Sequence, residues 1–445
     1  MSLAALSMRS GRVKKISVRT IRHQFKRLLS ETPLNELGRL TRFCHRKRSV
    51  TPHRLAMSMM EAFVSRDIES IADILRTFNA LCDQTVHYKP FHKQLAKRQF
   101  PTFMRLLLTQ LMNDLVVDVL RFAPASPFAR FQHIRLQDGT SFALKHTLSG
   151  SFPGRFTTVS PAAVELPVNR DLLTETLHHV VLSPDCYAER PYLPEPSDLA
   201  GDLLLADRGY FDKQYCLAMH RSEGHFIVRG KTNLNPLSVR AFDHTGQEIT
   251  CWRGQHLQNV AQKITRRSAV DLDVRFQSKD GPFDCRLIAQ PNPREDRPRY
   301  LVTNLERSDF SIEHISDGYR LRWQIELLFK EWKSYTNLKA FDTGNPHIAA
   351  GLIWASLCAA TLSRFCAHIA QRLTHRPIST RRVAMCIHPV LTEIFRALLH
   401  APRKLTAAIK RAVSYLSNNA QRAHPKRDAK SGRLKLHLLH IYGTS

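Results

Sequence analysis

The segment from Tyr319 to Lys333 constrains the fold most strongly, because a single helical periodicity runs through all of it. Its apolar side chains recur along one stripe of a helix that advances about 100° per residue: Leu321, Ile325, Leu328 and Trp332. A neighbouring face carries Glu326 and, within roughly 40° of it, a phenol and several cations: Tyr319, Arg322, Lys330 and Lys333. The segment is therefore predicted to form one helix with a buried stripe and a polar face beside it.

The polar face of this predicted helix has the chemistry of a site that handles phosphate. A carboxylate such as Glu326 can ligate a divalent cation. Arg322 can bind phosphate oxygens through its planar guanidinium, and the lysines can do so as point charges. A solvated helix face with spaced Glu–Lys pairs has a similar pattern. The segment alone leaves both interpretations open.

Two further carboxylates follow predicted strands. Residues 131–137 alternate like a strand that ends at Asp138-Gly139-Thr140, and residues 141–145 are a candidate for the returning strand. Leu203–Ala206 has the length and apolar character of a buried strand, and Asp207 follows it. Each aspartate alone is typical of a turn. The carboxyl ends of strands are, however, where α/β sheets place their chemistry.

Asp138, Asp207 and Glu326 together form a candidate metal site. Two divalent cations about 4 Å apart need such carboxylates to bridge and flank them. In that chemistry one ion activates the attacking water or hydroxyl, and the other stabilises the leaving 3′ oxygen. Oxygen ligands without a Cys/His cage favour Mg²⁺ or Mn²⁺ over zinc. The sequence therefore predicts a site for two Mg²⁺ ions, with Mn²⁺ as a substitute.

The rest of the chain is predicted to alternate between helical and β-rich regions, which makes the fold class α/β. The candidate strands before the Glu326 helix are His225–Arg229, Val239–His244, Glu248–Trp252, Val270–Phe276, Cys285–Ala289 and Tyr300–Asn304. The predicted regions are a basic helical region (1–125), a first core part (126–212), a β-rich insertion (213–310), a second core part with the Glu326 helix (311–375) and a basic helical C-terminal region (376–445). The apolar run Ile348–Leu362 is predicted to be a buried helix, because it is too short to span a bilayer comfortably.

The net charge indicates a polyanionic partner. The chain carries 66 Lys and Arg against 38 Asp and Glu, a formal charge of +28 with a pI near 10.2. Nucleic acid is favoured over an anionic membrane, since the sequence has no long basic amphipathic helix with an aromatic face. Residues 1–50 hold thirteen Lys or Arg against two Glu, and residues 401–445 hold ten against one Asp. The first fifty residues are either an arm that follows phosphates or a solubilising tail, and their leading cations are Arg9, Arg12, Lys14, Lys15, Arg19 and Arg22.

Residues 51–120 show helical periodicity that begins at Thr51-Pro52, a good cap and first-turn pair. Three short helices are expected, and the last carries Lys93, Lys97 and Arg98. This pattern is compatible with a DNA-reading helix-turn-helix and equally with any basic helical bundle.

The cysteines predict a reducing environment. All nine are scattered along the chain, and none forms a Cys-x-x-Cys pair. This pattern argues against a zinc ribbon and against a disulfide framework. The N-terminus has no signal-peptide apolar region. The expected location is therefore the cytoplasm, with free thiols.

The chain resembles the DDE transposases of bacterial insertion sequences, in the insertion-sequence-four type. Three places carry the likeness: Asp138-Gly-Thr, Leu205-Ala-Asp207-Arg-Gly-Tyr, and the spacing Tyr319-x2-Arg322-x3-Glu326-x6-Lys333. The last is the signature tetrad of that group and is highly specific. The first two are moderately specific on their own, and together the three span about residues 130–335.

The resemblance implies an RNase H-like catalytic core, interrupted by the β-rich insertion and flanked by helical regions. Asp138, Asp207 and Glu326 would be the metal ligands. DNA phosphates near the cleaved end and the target would be contacted by Tyr319, Arg322 and Lys333, with Lys330 on the same face. Hydrolysis would free a 3′-OH at each transposon end, and that 3′-OH would attack target DNA. Pairing two ends implies a dimer or a larger synaptic complex, in the bacterial cytoplasm and associated with the nucleoid.

Some members of this family hold a flipped base against an aromatic residue, for which Trp252 and Trp323 are the candidates here. Stacking suits an indole ring, although Trp252 fits a core position at least as well. Two alternatives stay open. One is a metal-dependent nuclease of the same fold that hydrolyses DNA without joining it. The other is a non-catalytic DNA-binding descendant of a transposase.

Overall fold

A computed structural model describes residues 16–44, 46, 48–65, 68–261, 263–264, 268–292, 298–335, 342–423 and 439–441. The chain divides into two compact units. The first, called the helical unit below, comprises residues 1–119, 354–422 and 441–445, and the second, the sheet unit, comprises residues 120–353 and 423–440. The leading cations of the predicted arm, Arg9, Arg12, Lys14 and Lys15, lie outside the described residues.

Most of the α-helices belong to the helical unit, and the other α-helices lie wholly or partly in the sheet unit. In chain order they are α1 (Val18–Leu29), α2 (Glu31–Leu40), α3 (Pro52–Val64), α4 (Ile71–Cys82), α5 (Tyr88–Leu95), α6 (Phe100–Asp114), α7 (Lys213–Arg221), α8 (Leu257–Ala261), α9 (Ile312–Arg320), α10 (Trp323–Tyr335), α11 (Pro346–Thr374), α12 (Thr380–Cys386), α13 (His388–His400) and α14 (Leu405–Asn419). The cap predicted at Thr51 is confirmed, since its hydroxyl accepts from the backbone N–H of Arg54 at 3.2 Å. The three short helices expected after it are α3, α4 and α5, and Lys93 lies on α5.

The apolar run Ile348–Leu362 is helical and buried, as predicted. It lies within α11, which is long and apolar enough to cross a membrane, yet 89% of its most apolar stretch is buried inside the protein. Such burial is typical of a core helix. Among the described residues, α12 and α13 pass the same test only if they are taken as one span with a 68° bend.

The strands are β1 (Leu120–Phe122), β2 (Ile134–Ala143), β3 (Pro153–Phe156), β4 (Ser160–Asp171), β5 (Leu177–Val180), β6 (Ser183–Pro184), β7 (Leu203–Ala206), β8 (His225–Arg229), β9 (Leu237–Phe242), β10 (Val270–Ser278), β11 (Gly281–Gln290), β12 (Arg299–Thr303) and β13 (Leu439–Ile441). Within the described part of the sheet unit, eleven of them form one mixed sheet, in the order β3-β4-β2-β7-β8-β12-β11-β10-β9, with β5 and β6 also paired to β4. The parallel pairings are β2 with β7 and β7 with β8, and the other described pairings are antiparallel. The sheet therefore has a short parallel centre between two antiparallel wings.

The strand predicted over Glu248–Trp252 is wrong. Glu248 makes a single bridge to Phe242, and residues Thr250–Trp252 form a turn of 3₁₀ helix instead. The chain turns there because the N–H groups of Trp252 and Arg253 donate to carbonyls three residues back. This turn carries the indole of Trp252 into the core, where the residue is 6% exposed.

Two predicted boundaries near the candidate site also need correction. Strand β2 does not end at Asp138; it continues through Gly139 to Ala143, paired with β4 all the way. A glycine at position 139 allows the Glu165 side chain to pack closely against the backbone and does not form a turn. A Cβ there would lie 2.6 Å from a carboxylate oxygen of Glu165. The single helix predicted over residues 319–333 is divided into α9 and α10, since Leu321 and Arg322 form a tighter turn whose N–H groups bond three residues back.

Candidate active site

The register of the parallel strands places two carboxylates next to each other. Gln137 on β2 lies opposite Ala206 on β7. The residue that follows Gln137 and the residue that follows Ala206 are both aspartates. Asp138 and Asp207 are therefore neighbours at the point where the β2–β7 pairing ends. Beyond this point β2 pairs only with β4, which leaves room beside the two carboxylates at the carboxyl end of β7.

Helix α10 brings the third carboxylate to the same place. The stripe predicted to be buried is buried, with Ile325, Leu328 and Trp332 each at most 2% exposed. Glu326 lies beside that stripe with 31% of its side chain exposed. The guanidinium of Arg322 donates to Asp138 Oδ2 at 2.7 Å and to Glu326 Oε1 at 2.5 Å. One arginine therefore joins the strand carboxylate to the helix carboxylate.

Tyr319 connects α9 to the remaining aspartate. Its hydroxyl donates to Asp207 Oδ1 at 3.1 Å. The guanidinium of Arg229, the last residue of β8, lies 4.0 Å from the same oxygen. Burial raises the pKa of the Tyr319 hydroxyl, so this group keeps its proton and acts as a donor.

Negative charge is only partly compensated at this place. Burial raises the pKa of Asp138 to about 6, and the charges of Asp207 and Glu326 add to the rise. Arg322 and the N–H of Gly139 act in the opposite direction. A cation coordinated by the three carboxylates would relieve this crowding.

A sequence profile described as the transposase DDE domain matches residues 129–362, just over half of the chain, and this range includes all three carboxylates. The chain belongs to the DDE transposase family. It is therefore a DNA-transferring enzyme of insertion-sequence type, related to the insertion-sequence-four group that the motifs suggested.

Curated relatives are themselves transposases. The chain is similar to the transposase for insertion sequence element IS231E of Bacillus thuringiensis subsp. finitimus, with 23% identity over 438 residues that cover 89% of this chain and 90% of that protein. It is also similar to the putative transposase InsL for element IS186A of Escherichia coli (strain K12), with 28% identity over 187 residues, 37% of this chain and 50% of that protein. Among solved structures, it aligns with a cryo-EM structure of the piggyBac transposase synaptic complex with hairpin DNA at a TM-score of 0.44 and 11% identity, over 91% of this chain and 86% of that one.

DDE transposases generally depend on divalent metal ions, and the donor set of this transposase fits such ions. The three carboxylates supply oxygen ligands, which Mg²⁺ and Mn²⁺ prefer. The pKa of Asp138 is raised mainly by burial, and a bound cation would offset that cost to the ionised carboxylate.

Among the described residues, the other side chains predicted for the site do not contact the three carboxylates directly. Lys330 and Lys333 are exposed on α10, one and two turns beyond Glu326. Trp323 begins α10 and is 52% exposed. Trp252 is buried in the core of the sheet unit and packs in the same cluster as Leu257. Tyr319 and Arg322 are thus the predicted phosphate-binding residues that contact the carboxylates directly.

One arginine that no sequence motif singles out contacts the helix that carries Glu326. Arg170 on β4 has a side chain that is 2% exposed, and it donates to the carbonyl of Gln324 in the first turn of α10 at 2.9 Å. Glu175 pairs with the same guanidinium at 3.0 Å. An arginine between Asn169 and Asp171 looks like a surface residue in sequence, so only its long-range contact with α10 reveals the role.

Proposed function

We propose that this transposase cuts the ends of its own insertion sequence to free 3′-OH groups and joins them to target DNA. The observation that carries this proposal is the β2–β7 register, which makes Asp138 and Asp207 neighbours while Arg322 connects Asp138 to Glu326. Three carboxylates on adjacent elements suit phosphoryl transfer at a two-metal site.

Asp138, Asp207 and Glu326 would hold two Mg²⁺ ions, with Mn²⁺ as a substitute. When bound, such ions activate the attacking oxygen and stabilise the leaving 3′ oxygen. Gly139 orients Asp138 through its N–H at 3.0 Å, and Tyr319 orients Asp207 through its hydroxyl. These contacts hold the carboxylates in place for the cations.

DNA phosphates would be bound by residues of the helix pair α9–α10. Arg322 lies between two carboxylates and can turn one N–H edge to a phosphate oxygen beside them. Lys330 and Lys333 extend positive charge along the exposed face of α10, and Tyr319 adds a hydroxyl donor. For base stacking, the exposed ring of Trp323 is the better candidate, because Trp252 is buried in the core.

The catalytic core would be RNase H-like and interrupted by an insertion. In this proposal residues 126–212 and 311–375 form the core, and residues 213–310 form the β-rich insertion. Support comes from the placement of β9, β10 and β11 at the wing farthest from β2 and β4. Within the same range, β8 and β12 continue the sheet directly from β7. The basic helical regions, 1–125 and 376–445, would bind DNA.

The proposed partners are the terminal inverted repeats of the element and a target duplex, in the bacterial cytoplasm close to the nucleoid. The formal charge of +28 supports a polyanionic partner. Joining two ends in one reaction calls for a dimer or a larger synaptic complex.

The test is an assay with labelled DNA that carries the sequences flanking the gene, incubated with the protein and Mg²⁺ or with EDTA. Free 3′-OH ends followed by labelled products joined to a target plasmid are expected only with Mg²⁺. Cut ends that never become joined would identify a nuclease instead. Binding without cutting under Mg²⁺ or Mn²⁺ would identify a DNA-binding descendant and overturn the proposal.

A further inference from the structure

A second group of side chains that could hold a metal ion lies at the start of strand β2. His133 comes immediately before β2, Asp171 is the last residue of β4, and His178 lies on β5. Five residues of extended chain separate His133 from Asp138, which corresponds to about 16 Å. This group is therefore separate from the three carboxylates of the candidate active site.

The spacing of these side chains suits a tetrahedral metal. One ligand atom from each of the three residues lies within 4.8 Å of the others. His133 Nδ1 and Asp171 Oδ2 are 3.4 Å apart, which is long for an N–H···O hydrogen bond, usually about 2.9–3.0 Å. Two ligands that are each about 2.1 Å from a tetrahedral zinc ion stand roughly 3.4 Å apart. The pair is thus spaced for sharing a metal as well as for a long hydrogen bond.

We propose that His133, Asp171 and His178 bind one Zn²⁺ ion that ties the start of β2 to the β4–β5 hairpin. Two imidazoles and one carboxylate favour zinc or a similar transition metal over Mg²⁺, which prefers oxygen ligands alone. The fourth position is left to water, because His178 lies at the surface.

The surroundings of Asp171 fix the direction of its carboxylate. The side chain is 1% exposed. Its Oδ1 accepts from the backbone N–H groups of Ile134 and Leu173, both at 3.3 Å. Oδ2 accepts from the Thr174 hydroxyl at 2.7 Å and still faces His133. Bonds of this kind orient a metal ligand without replacing it.

Protonation of His133 is an alternative to zinc binding at this contact. The hydrogen bond to Asp171 raises the pKa of His133, with a smaller contribution from Asp202. A protonated His133 paired with Asp171 is therefore the competing account of this contact. The two accounts differ in whether zinc binds.

The test is a zinc titration of the full-length, metal-freed protein by calorimetry, in excess Mg²⁺ to saturate oxygen-only sites. Wild type is compared with His178→Ala and His133→Gln. His179→Ala is the matched control, because it removes the neighbouring exposed histidine of β5 that is not one of the three candidate ligands. The nine cysteines can add zinc binding of their own, so the readout is the difference between variants.

We expect one zinc per chain whose affinity falls at least tenfold in His178→Ala and in His133→Gln and is unchanged in His179→Ala. The same zinc should raise the thermal midpoint of wild type and of His179→Ala but not that of His178→Ala, a variant at the surface that should fold normally. Equal zinc affinity and stoichiometry in all four proteins would overturn the proposal and leave His133 and Asp171 as an ion pair.

Discussion

Two aspartates of the same sheet, the buried Asp271 and the partly buried Asp138, have pKa values shifted in opposite directions. Asp271 on β10 accepts five hydrogen bonds, at 2.6–3.1 Å, from four N–H groups of Arg286 and Arg307, and this holds its pKa below the usual value although burial acts to raise it. Asp138 on β2 shares one arginine with Glu326, and its pKa rises to about 6. The arginines of the fold neutralise the charge of Asp271. The charge of Asp138 is less well compensated, and a bound metal ion could neutralise it.

The largest effect on folding is expected from Asp271→Asn. Arg286 has a side chain that is 5% exposed, and the substitution would leave its charge without its partner. Breaking a buried ion pair from one side costs about 3–5 kcal/mol. Urea unfolding should report a loss of this size, while Asp284→Asn, which breaks an exposed pair with Arg275, should cost under about 1 kcal/mol. Equal losses for the two variants would contradict the contrast.

A stability gain is expected from Asp138→Asn at high pH in the presence of EDTA. A folded-state pKa of about 6, above the ordinary aspartate value of 3.8, means that the ionised form is disfavoured by folding. The penalty is absent below about pH 4, grows between pH 4 and 6, and is complete above pH 6. Removing the charge should therefore raise the free energy of unfolding by about 1–3 kcal/mol at pH 8.

The stability gain of Asp138→Asn should vanish near pH 4. Urea unfolding curves of wild type and variant at pH 4 and at pH 8 measure the difference. A variant that is less stable than wild type at both pH values would show that Asp138 is compensated like Asp271.

Arg170→Lys should lower DNA cleavage about tenfold, because lysine keeps the charge but loses the planar fork that reaches both Glu175 and the Gln324 carbonyl. The expected cause is a displaced Glu326, so the Mg²⁺ concentration for half-maximal cleavage should rise. Arg286→Lys is the matched control. It should reduce stability while its folded fraction cleaves with the Mg²⁺ dependence of wild type. An unchanged Mg²⁺ dependence in Arg170→Lys would argue against a positioning role.

The smallest effects are expected from the exposed cations of α10. Lys330→Ala and Lys333→Ala should each weaken DNA binding a few-fold and reduce the slope of log affinity against log salt by about one. Lys279→Ala, at the exposed β10–β11 turn, serves as the control. Binding isotherms at several salt concentrations measure the slopes. A control that loses as much as the other two would show that α10 is not a specific DNA contact.

The sequence was most informative where local pattern and tertiary role agree. Leu203–Ala206 is a strand with the predicted bounds, because an uninterrupted apolar run of that length suits a buried parallel strand. The buried stripe of α10 was predictable for the same reason. The break at Leu321 and Arg322 was not, since both residues keep the helical spacing and only the hydrogen bonds reveal the tighter turn.

Other features depend on partners far away in the chain. Strand β4 contains Pro161 and Pro167, which argue against a strand in sequence, yet it pairs with β2 along most of its length. The strand predicted to end at Asp138 continues because Gly139 fits against Glu165 of β4. Neither the β2–β7 register nor the contact of Arg170 with α10 is encoded in a local pattern.

The central claim is that Asp138, Asp207 and Glu326 act as one metal-dependent site. The most direct measurement is single-turnover cleavage of DNA carrying the element's own ends, with Mg²⁺, by wild type, Asp138→Asn, Asp207→Asn, Glu326→Gln and the control Glu313→Gln, which alters an exposed carboxylate in the first turn of α9. Each of the three site variants should lose about 10⁴-fold or more in rate, and the control should cut like wild type. Retention of near-normal cleavage by any one of the three variants would contradict the claim.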